Sequence, residues 1–277
     1  MKKVRLGLIG DNIAASKAPR LHAIAGRMRG VEITYDLLVP AEQGAGFDEL
    51  FDRCAAGNYH GINITHPYKE RAAERVEIES PVVRAMGAVN TILFEPAGPR
   101  GFNTDHTGFM AAWRVRFSPA RPGIVCQVGA GGVGRAVAFG LAELGAAAVR
   151  LFDLDRARAE SVAADLREAR PGFDVTAAAS LEEAATGANG IVNCSPVGMV
   201  GHDGTPVPRG LMIGTAWAFD AVYTPVDTRF LADAQATGLD TLSGYELFFE
   251  QGVVCTEIFL GSPADRTRLR QALADPA

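Results

Sequence analysis

Short apolar runs alternate with longer amphipathic segments over the first hundred residues of the chain. The short runs predict buried β-strands, and the longer segments, whose apolar residues recur every three or four positions, predict helices. Strands are expected at residues 4–9, 33–38, 61–65 and 88–94, and helices at 19–29 and 47–56. Gly30 and Gly57 follow the two helices, where glycine often ends a helix. The sequence Pro-Ala-Gly-Pro at residues 96–99 predicts a turn.

A second alternation of the same kind begins near residue 123. Strands are expected at 124–128, 149–152, 173–176, 190–193 and 218–222, and helices at 133–144, 156–170 and 228–237. Alternating strands and helices are typical of a mostly parallel sheet. The proline-rich residues 118–123 predict a linker, and helices at 245–260 and 263–274 can fold back onto the first part of the chain. The pattern therefore predicts an α/β protein with two domains.

Composition narrows the class of protein. The net charge of −5 argues against nucleic acids and anionic membranes as partners. No apolar run reaches the roughly 20 residues of a membrane helix, and the N-terminal run stops at Gly10, which fits a first strand better than a signal peptide. Cys54 and Cys255 fall on predicted helices, and Cys126 and Cys194 on predicted strands. Because these cysteines are far apart, we expect reduced thiols in a cytoplasmic protein and no metal site.

A glycine-rich motif lies between the predicted strand 124–128 and the helix that follows it. Its residues are Gly129, Ala130, Gly131, Gly132, Val133 and Gly134. In this context the first glycine permits a tight turn, the second lets the main chain approach a pyrophosphate, and the third lets helix and strand pack closely. The helix N-terminus then faces the phosphates. We therefore expect a dinucleotide cofactor at this motif.

An acidic residue at the end of the next predicted strand bears on which dinucleotide binds. Asp153 lies 19 residues after Gly134, near the spacing at which a carboxylate binds the ribose 2′-hydroxyl. A carboxylate there repels a 2′-phosphate, and about 1.4 kcal/mol already gives a tenfold preference. Arg156 and Arg158 could attract that phosphate, but both fall on the following helix, where solvated arginines are common. NAD is therefore predicted over NADP.

Residues 61–69 place three polar side chains in an otherwise apolar run. The run reads Gly-Ile-Asn-Ile-Thr-His-Pro-Tyr-Lys, so Asn63, Thr65 and Lys69 interrupt a buried strand and the start of a helix. Buried polar groups cost free energy unless they have partners. Open α/β sheets bind ligands at the carboxyl ends of their strands, so these residues predict a pocket there.

Further polar side chains stand in apolar surroundings. Ser16 follows the first predicted strand, and Asn90 falls inside the strand predicted at 88–94. Asp105 falls at a turn before a helix, where it could also be a plain helix N-cap. Gln251 shares the apolar face of the next-to-last helix and needs a partner, which either neighbouring main chain or a ligand hydroxyl could supply.

These motifs together resemble the shikimate dehydrogenase family. The matching segments are 7–19, 61–69, 87–91, 103–105, 129–134, 193–199, 220–225 and the helix of Gln251, in the family's order. The resemblance implies a substrate-binding, catalytic domain of residues 1–105 plus 245–277. It implies a Rossmann dinucleotide-binding domain of residues 106–244 between them.

The resemblance also implies roles for individual residues. Two residues match the family's catalytic lysine and its partner aspartate, Lys69 and Asp105. Five match the family's substrate ligands, which are amides for hydroxyl groups and hydroxyls for the carboxylate: Asn90, Gln251, Ser16, Thr65 and Tyr223. Ser195 joins the glycine motif in binding the cofactor. The implied reaction oxidises a ring alcohol to a ketone, with the hydride passing to NAD and the proton to Lys69.

Two departures from the family pattern bear on the substrate and the cofactor. Ala18 stands where the family usually has a second serine, which removes one hydrogen-bond donor for the substrate carboxylate. Asp153, Leu154 and Asp155 stand where the NADP-dependent members have Asn-Arg-Thr. With His-Pro-Tyr at residues 66–68, this looks like the NAD-dependent quinate/shikimate branch of the family.

The predicted function is the NAD-dependent interconversion of shikimate and 3-dehydroshikimate, of quinate and 3-dehydroquinate, or of both. One alternative is a dehydrogenase for another cyclic polyol, such as an aminoshikimate-type compound, which Ala18 favours. The other is a NAD-binding sensor without catalytic activity, which the presence of Lys69 disfavours. The expected partner is a small polyol carboxylate, and the expected state is a monomer or homodimer.

Overall fold

The computed structural model describes residues 2–275, and the chain divides into two compact units. The first unit runs to Thr104 and resumes at Gln251, and the second unit is Asp105–Glu250. The first elements are β1 (Lys2–Ile9), α1 (Ala18–Arg27), β2 (Val31–Leu38), α2 (Phe47–Ala56), β3 (Gly61–Ile64), α3 (Lys69–Ala73), α4 (Pro81–Met86), β4 (Thr91–Glu95) and β5 (Gly98–Phe102).

The remaining elements continue in chain order. They are α5 (Thr104–Phe117), β6 (Ile124–Val128), α6 (Gly132–Glu143), β7 (Ala148–Phe152), α7 (Arg156–Ala169), β8 (Asp174–Ala177), α8 (Leu181–Ala185), β9 (Gly190–Asn193), β10 (Trp217–Asp220), α9 (Arg229–Ala236), β11 (Asp240–Leu242), α10 (Gly244–Leu260) and α11 (Arg266–Ala274). A 3-10 helix at Arg209–Met212 precedes β10. The division between the units falls after the first residue of α5 and again inside α10.

The first unit contains a five-stranded mixed sheet in the order β2-β1-β3-β4-β5. β1 pairs in parallel with β2 and β3, whereas β4 pairs antiparallel with β3 and β5. On one face of β3, Ile62 and Ile64 pack into a cluster with Phe51 of α2. Since side chains alternate along a strand, Asn63 points to the other face, where β1 packs on Cys255 of α10. This second face of the sheet therefore carries buried polar groups next to α10.

The second unit contains a six-stranded parallel sheet in the order β11-β10-β9-β6-β7-β8. The strand order reverses at β6, which has β7 on one side and β9 on the other. At their carboxyl ends, Val128 of β6 and Asn193 of β9 are partners in register. Doubly wound sheets bind their ligands at such a reversal of strand order. The glycine motif follows Val128 directly and therefore lies at this position.

The predicted class, an α/β protein with two domains, is confirmed, but four local predictions are wrong. Asn90 precedes β4 and does not lie within it, because the chain bends there. Cys194 follows β9, and Asp105 is the second residue of α5 and not part of a turn before it. Residues 118–123 join α5 to β6 inside the second unit, because a proline-rich segment ends a helix as readily as it links domains.

All four cysteines are free thiols, and three of them, Cys54, Cys126 and Cys255, are buried. Burial raises the pKa of Cys54 to about 11 and the pKa of Cys126 to about 12. Within residues 2–275, no helix combines the length and the apolar character that crossing a bilayer requires. The same residues contain no group of three or more His, Cys, Asp and Glu side chains arranged to hold a metal ion.

Candidate active site

Lys69 is the first residue of α3, and it is only 7% exposed. β3 ends at Ile64, and the chain then turns, with the Tyr68 N–H donating to the Thr65 carbonyl at 3.0 Å. The Val89 N–H donates to the Lys69 carbonyl at 3.0 Å, which ties the start of α3 to the segment before β4. The lysine therefore lies just beyond the carboxyl end of a buried strand.

The short helix α3 is fixed by contacts with α2. A helix of five residues has little stability of its own, so its position depends on its neighbours. Tyr68, which precedes it, stacks on Phe47 with ring centroids 5.0 Å apart. Arg71 and Arg75 both donate to the carboxylate of Asp48 on α2, and the hydrogen bond from Arg71 lowers the pKa of Asp48. These contacts hold the helix that carries Lys69 against the rest of the first unit.

Asn90 is buried, and its side-chain orientation is fixed. Its Oδ1 atom accepts hydrogen bonds from the Thr104 N–H at 2.7 Å and from the Thr91 hydroxyl at 3.1 Å. A main-chain N–H can only donate, so the atom that faces Thr104 must be the amide oxygen. Among residues 2–275, no residue accepts a hydrogen bond from Asn90 Nδ2. The amide nitrogen is therefore available to donate to a ligand.

Gln251 is half-buried on α10 and approaches the same threonine. Its Oε1 atom lies 3.3 Å from Thr104 Oγ1 and 3.6 Å from Cys255 Sγ. From the sequence, the partner of Gln251 could be either main chain or a ligand. In the structure, the side chains of Thr104 and Cys255 are partners of its amide oxygen. Within the first unit, Asn90 and Gln251 thus converge on Thr104.

Asn63 is buried, and its amide forms hydrogen bonds with neighbouring side chains. The Tyr35 hydroxyl donates to Asn63 Oδ1 at 2.8 Å, and Asn63 Nδ2 donates to Thr91 Oγ1 at 3.0 Å and toward Cys255 Sγ at 3.2 Å. These partners satisfy the Asn63 amide, and its place in a ligand pocket stays a prediction. The alternation of β3 turns this side chain toward α10, where neighbouring polar groups satisfy it.

Ser16 and Thr65 are half-buried and follow neighbouring strands. Ser16 Oγ accepts a hydrogen bond from the Ala18 N–H at 3.3 Å, which leaves the hydroxyl proton able to donate. A Cβ atom built on Gly10 would lie 2.2 Å from the Thr65 methyl, so a glycine at position 10 makes room for Thr65. Because β1 and β3 are parallel neighbours, both hydroxyls lie beyond the same edge of the sheet.

The glycine motif forms a cradle at the N-terminus of α6. Gly129 has a φ of 96°, and a Cβ atom on Gly134 would lie 2.1 Å from the Gly129 carbonyl oxygen. Gly131 is the N-cap of α6, and a Cβ atom on it would meet nothing within 4 Å. Gly132 and Val133 begin the helix and are half-exposed. Main-chain N–H groups at a helix N-terminus bind anions, so the cradle fits a pyrophosphate.

Gln127 supports this cradle from within β6. Its side chain is fully buried, and its Nε2 atom donates to the Gly129 carbonyl at 3.0 Å and to the Gly134 carbonyl at 2.8 Å. Gln127 therefore ties the first and last glycines of the motif together. Gln127 was not among the residues predicted from the sequence, although a glutamine in the apolar strand 124–128 is a signal of the same kind as Gln251.

Asp153 lies beside the glycine motif, at the end of β7. Its Oδ2 atom accepts a hydrogen bond from the Ala130 N–H at 2.7 Å, and its Oδ1 atom accepts one from the Asp155 N–H at 2.9 Å. Arg156 and Arg158 pair with acidic neighbours within four residues in the sequence, Glu160 and Asp155 respectively. The carboxylate thus lies next to the glycine motif, and both arginines form ion pairs with residues of their own segment.

A buried aspartate ties together the loops that follow β9 and β10. Asp220 is fully buried and accepts hydrogen bonds from Asn193 Nδ2 at 2.8 Å, Thr228 Oγ1 at 2.5 Å and the Val222 N–H at 3.0 Å. Burial raises the pKa of Asp220 to about 6, although the three hydrogen bonds lower this pKa. Asn193 Oδ1 accepts in turn from the N–H and the hydroxyl of Ser195, at 2.9 and 2.7 Å. The Ser195 hydroxyl therefore stabilises the loop that follows β9, through its hydrogen bond to Asn193.

Asp105 and Tyr223 are electrostatic neighbours in the second unit. Asp105 is 8% exposed, in the first turn of α5, and Tyr223 stacks on Phe248 with ring centroids 5.1 Å apart. Burial raises the pKa of Tyr223, and the negative charge of Asp105 raises it further. The Tyr223 phenol therefore stays protonated near neutral pH and can donate a hydrogen bond.

A family model described as the shikimate dehydrogenase substrate binding domain matches residues 8–92. A quinate/shikimate dehydrogenase (NAD(+)) of Corynebacterium efficiens is 37% identical to this chain over 276 residues, which cover 96% of each protein. The chain belongs to the shikimate dehydrogenase family. The resemblance that the sequence motifs carry is thereby confirmed.

Members of the family similar to this chain are named for both nicotinamide cofactors. A shikimate dehydrogenase (NADP(+)) of an Arthrobacter species is 36% identical over 96% of this chain and 92% of its own length. Among solved structures, quinate dehydrogenase from Corynebacterium glutamicum in complex with NAD matches with a TM-score of 0.90 at 32% identity, over 99% of each chain. The shikimate 5-dehydrogenase of Thermus thermophilus in complex with NADP(H) and shikimate matches with a TM-score of 0.82 at 32% identity, over 97% of this chain and 98% of its own.

Proposed function

We propose that this protein is a NAD-dependent dehydrogenase that interconverts shikimate with 3-dehydroshikimate, quinate with 3-dehydroquinate, or both. The observation that carries the proposal is the group of polar side chains in the first unit. A buried lysine follows β3, and two oriented amides, Asn90 and Gln251, converge on Thr104. An amine that can take a proton and amides that bind hydroxyls suit a ring alcohol, and the chain belongs to a family whose members are named for such substrates.

The proposed chemistry assigns the proton to Lys69. Oxidation of the alcohol releases a hydride from carbon and a proton from oxygen. Lys69 accepts that proton and returns it when the ketone is reduced, with Asp105 as the carboxylate partner of the amine. The burial of both residues supports this assignment, because a proton acceptor works best where water does not compete.

Three hydroxyls are assigned to the substrate carboxylate: those of Ser16, Thr65 and Tyr223. Each has a proton to donate, and the raised pKa of Tyr223 supports a phenol that stays a donor. Ala18 presents a methyl group where the family usually has another hydroxyl. The carboxylate is therefore held by three donors, and the space left beside Ala18 suits the extra hydroxyl of quinate.

The residues around the glycine motif fit NAD. The cradle at Gly129, Ala130, Gly131, Gly132, Val133 and Gly134 would hold the pyrophosphate, and Ser195 lies on the loop that supports it. Asp153 would bind the ribose hydroxyls and disfavour a 2′-phosphate. When bound, NAD supplies the hydride acceptor at its nicotinamide ring.

The domain assignment belongs to the same proposal. Residues 1–105 plus 245–277 bind the substrate and residues 106–244 bind NAD, which the family match to a substrate binding domain at residues 8–92 supports. The free thiols and the net charge of −5 support a cytoplasmic location. The proposed protein is a monomer or homodimer. Its partner is a small polyol carboxylate, and it binds neither nucleic acid nor membrane.

One assay tests the function. Purified protein is mixed with NAD or NADP and with shikimate, quinate or an amino analogue of shikimate, and the absorbance of the reduced cofactor is followed. We expect reduction of NAD with shikimate, quinate or both, and much slower reduction of NADP. Reduction with the amino analogue alone would support a dehydrogenase of another polyol, and no reduction with any compound would support a NAD-binding sensor. Either result would overturn the proposal.

A further inference from the structure

The loop that follows β9 packs directly against the glycine motif. The Cys194 N–H donates to the Val128 carbonyl at 2.6 Å, at the residue just before the motif. A Cβ atom built on Gly129 would lie 2.6 Å from the Cys194 carbonyl carbon and 2.6 Å from the Ser195 nitrogen. The main chain at residues 194–195 therefore lies against the first glycine of the cradle, on the β9 side of β6.

The order of the strands determines which half of a bound dinucleotide lies on this side. Asp153, the proposed ligand of the adenosine ribose, follows β7, which is one neighbour of β6. The pyrophosphate is assigned to the glycine motif at the end of β6 itself. A dinucleotide extends from one mononucleotide-binding half of such a sheet to the other. The nicotinamide half is therefore directed toward the loops that follow β9 and β10.

Asn193, the last residue of β9, fixes the turn of the first of these loops. Its Oδ1 atom accepts from the Ser195 N–H at 2.9 Å, and its Nδ2 atom donates to the Val197 carbonyl at 3.1 Å. A main-chain N–H can only donate and a carbonyl can only accept, so the orientation of the Asn193 amide is determined. The Ser195 hydroxyl then donates to the same Oδ1 atom at 2.7 Å. One side chain thus closes the turn of residues 193–197.

Asp220, the last residue of β10, holds Asn193 in place. Its Oδ1 atom accepts from Asn193 Nδ2 at 2.8 Å and from the N–H of Val222, the residue before Tyr223, at 3.0 Å. Its Oδ2 atom accepts from the hydroxyl of Thr228, the N-cap of α9, at 2.5 Å. A buried carboxylate costs free energy unless it has hydrogen-bond donors, and these three donors belong to the ends of two strands and of a helix. Asp220 therefore joins the loops that follow β9 and β10.

We propose that Asp220 is a positioning residue for the nicotinamide half of NAD, because it holds both loops that this half meets. Asp220 has no exposed surface, so it acts through its neighbours and not by contact with a ligand. Through Asn193 it fixes the turn of residues 193–197, and through Val222 it fixes the segment that carries Tyr223. This inference rests on the proposed function, which assigns NAD to the second unit.

Two nucleotides distinguish the halves of the cofactor site. NADH contains both halves, whereas ADP contains only the adenosine and the pyrophosphate. Asp220→Ala removes the acceptor of all three donors, and we expect it to weaken NADH binding at least tenfold and ADP binding less than twofold. Asp153→Ala should weaken both by the same factor, because the adenosine ribose is common to both. Calorimetric titration measures each affinity, and an equal loss for the two nucleotides in Asp220→Ala, or no loss for either, would overturn the inference.

Asp220→Asn tests whether the hydrogen bonds cause the effect. Its amide oxygen can accept from Asn193 and Val222, and its nitrogen can donate to Thr228 Oγ1, so we expect NADH affinity within threefold of wild type. Thr228→Val is the control, since it removes one hydrogen bond to the carboxylate and leaves the two that hold the loops. It should also bind NADH within threefold of wild type. A loss in either variant as large as that in Asp220→Ala would contradict the inference.

Asn193→Ala keeps the inference testable if Asp220→Ala does not fold, which thermal unfolding of each variant shows. It breaks the link to the turn while Asp220 keeps two donors, and we expect at least a fivefold loss of NADH affinity with ADP affinity unchanged. If wild type binds neither nucleotide, or if Asp153→Ala weakens neither, the cofactor assignment of the proposed function fails. If both behave as expected and Asn193→Ala binds NADH like wild type, only the role of Asp220 fails.

Discussion

Replacing Gly131 with alanine should weaken NAD binding and leave the fold intact. Gly131 has a φ of −73° and a ψ of −170°, an extended conformation that alanine adopts, and its added Cβ would meet nothing within 4 Å. The protein itself then loses only the preference of a helix N-cap for glycine over alanine, about 1 kcal/mol or less. For a protein of this size, that corresponds to a fall in melting temperature of about 2–4 °C.

The new methyl group would occupy the open space where we propose that the pyrophosphate binds. Forcing an extra methyl into a close contact costs about 1–3 kcal/mol. This free energy corresponds to a loss of NAD affinity of roughly fivefold to 150-fold. Calorimetric titration with NADH measures the affinity, and thermal unfolding of the same samples measures stability.

Gly46→Ala is a matched control for this experiment. Gly46 is the N-cap of α2, with a φ of −79° and a ψ of 168°, and its added Cβ would also meet nothing within 4 Å. We expect both variants to lose a similar, small amount of stability and only Gly131→Ala to lose NADH affinity. NADH affinity within twofold of wild type in Gly131→Ala, or an equal loss in Gly46→Ala, would refute the assignment of the pyrophosphate to α6.

Two further predictions concern cofactor choice and acid stability. Asp153→Asn keeps an acceptor for the Ala130 N–H and removes the charge, so the kcat/KM ratio of NADP to NAD should rise at least tenfold; an unchanged ratio would show that Asp153 does not exclude the 2′-phosphate. Burial lowers the pKa of His22 from 6.5 to about 4, so the stability from the neutral imidazole is full above pH 6.5 and falls by up to about 3 kcal/mol as the pH drops toward 4. The raised pKa of Asp220 has the opposite effect on stability, because its contribution is lost as the pH rises through about 6. A comparison of wild type with His22→Phe therefore isolates the contribution of the histidine. Urea unfolding of both proteins near pH 7 and near pH 5 should show a smaller loss of stability in the variant, and parallel losses would contradict the assignment.

The glycine motif could be placed from the sequence because its requirements are local. Gly129 and Gly134 contact each other, and their partner Gln127 lies in the strand directly before them. The context of a strand and a helix was enough to predict where the motif lies in the fold. The carboxylate of Asp153 was also predictable, since the spacing along one strand–helix–strand unit sets its distance from the motif.

The short elements could not be predicted, for a reason of length. α3 and α8 have five residues each and α4 has six, which is under two helical turns, so no helical period can be seen in their apolar residues. β5 begins at Gly98 and Pro99, residues that predict a turn, and it exists because it pairs with β4. Its formation depends on a neighbouring strand and not on its own residues.

The two buried asparagines show where sequence reasoning about the site ends. Asn63 and Asn90 each stand in an apolar run, and the sequence offers no way to tell a structural amide from one that meets a ligand. The difference comes from Tyr35, which lies 28 residues from Asn63, and from Thr104, which lies 14 residues from Asn90. Tyr35 and its neighbours satisfy the Asn63 amide, whereas the Thr104 N–H and the Thr91 hydroxyl satisfy only the oxygen of the Asn90 amide.

The kinetics of a Lys69→Met variant test the central claim most directly. Methionine retains the length and apolar stem of the buried lysine and removes the amine. If Lys69 is the proton acceptor, kcat for oxidation of shikimate or quinate should fall at least a hundredfold, with the polyol KM and the NADH affinity within threefold of wild type. A kcat within threefold of wild type would contradict the account.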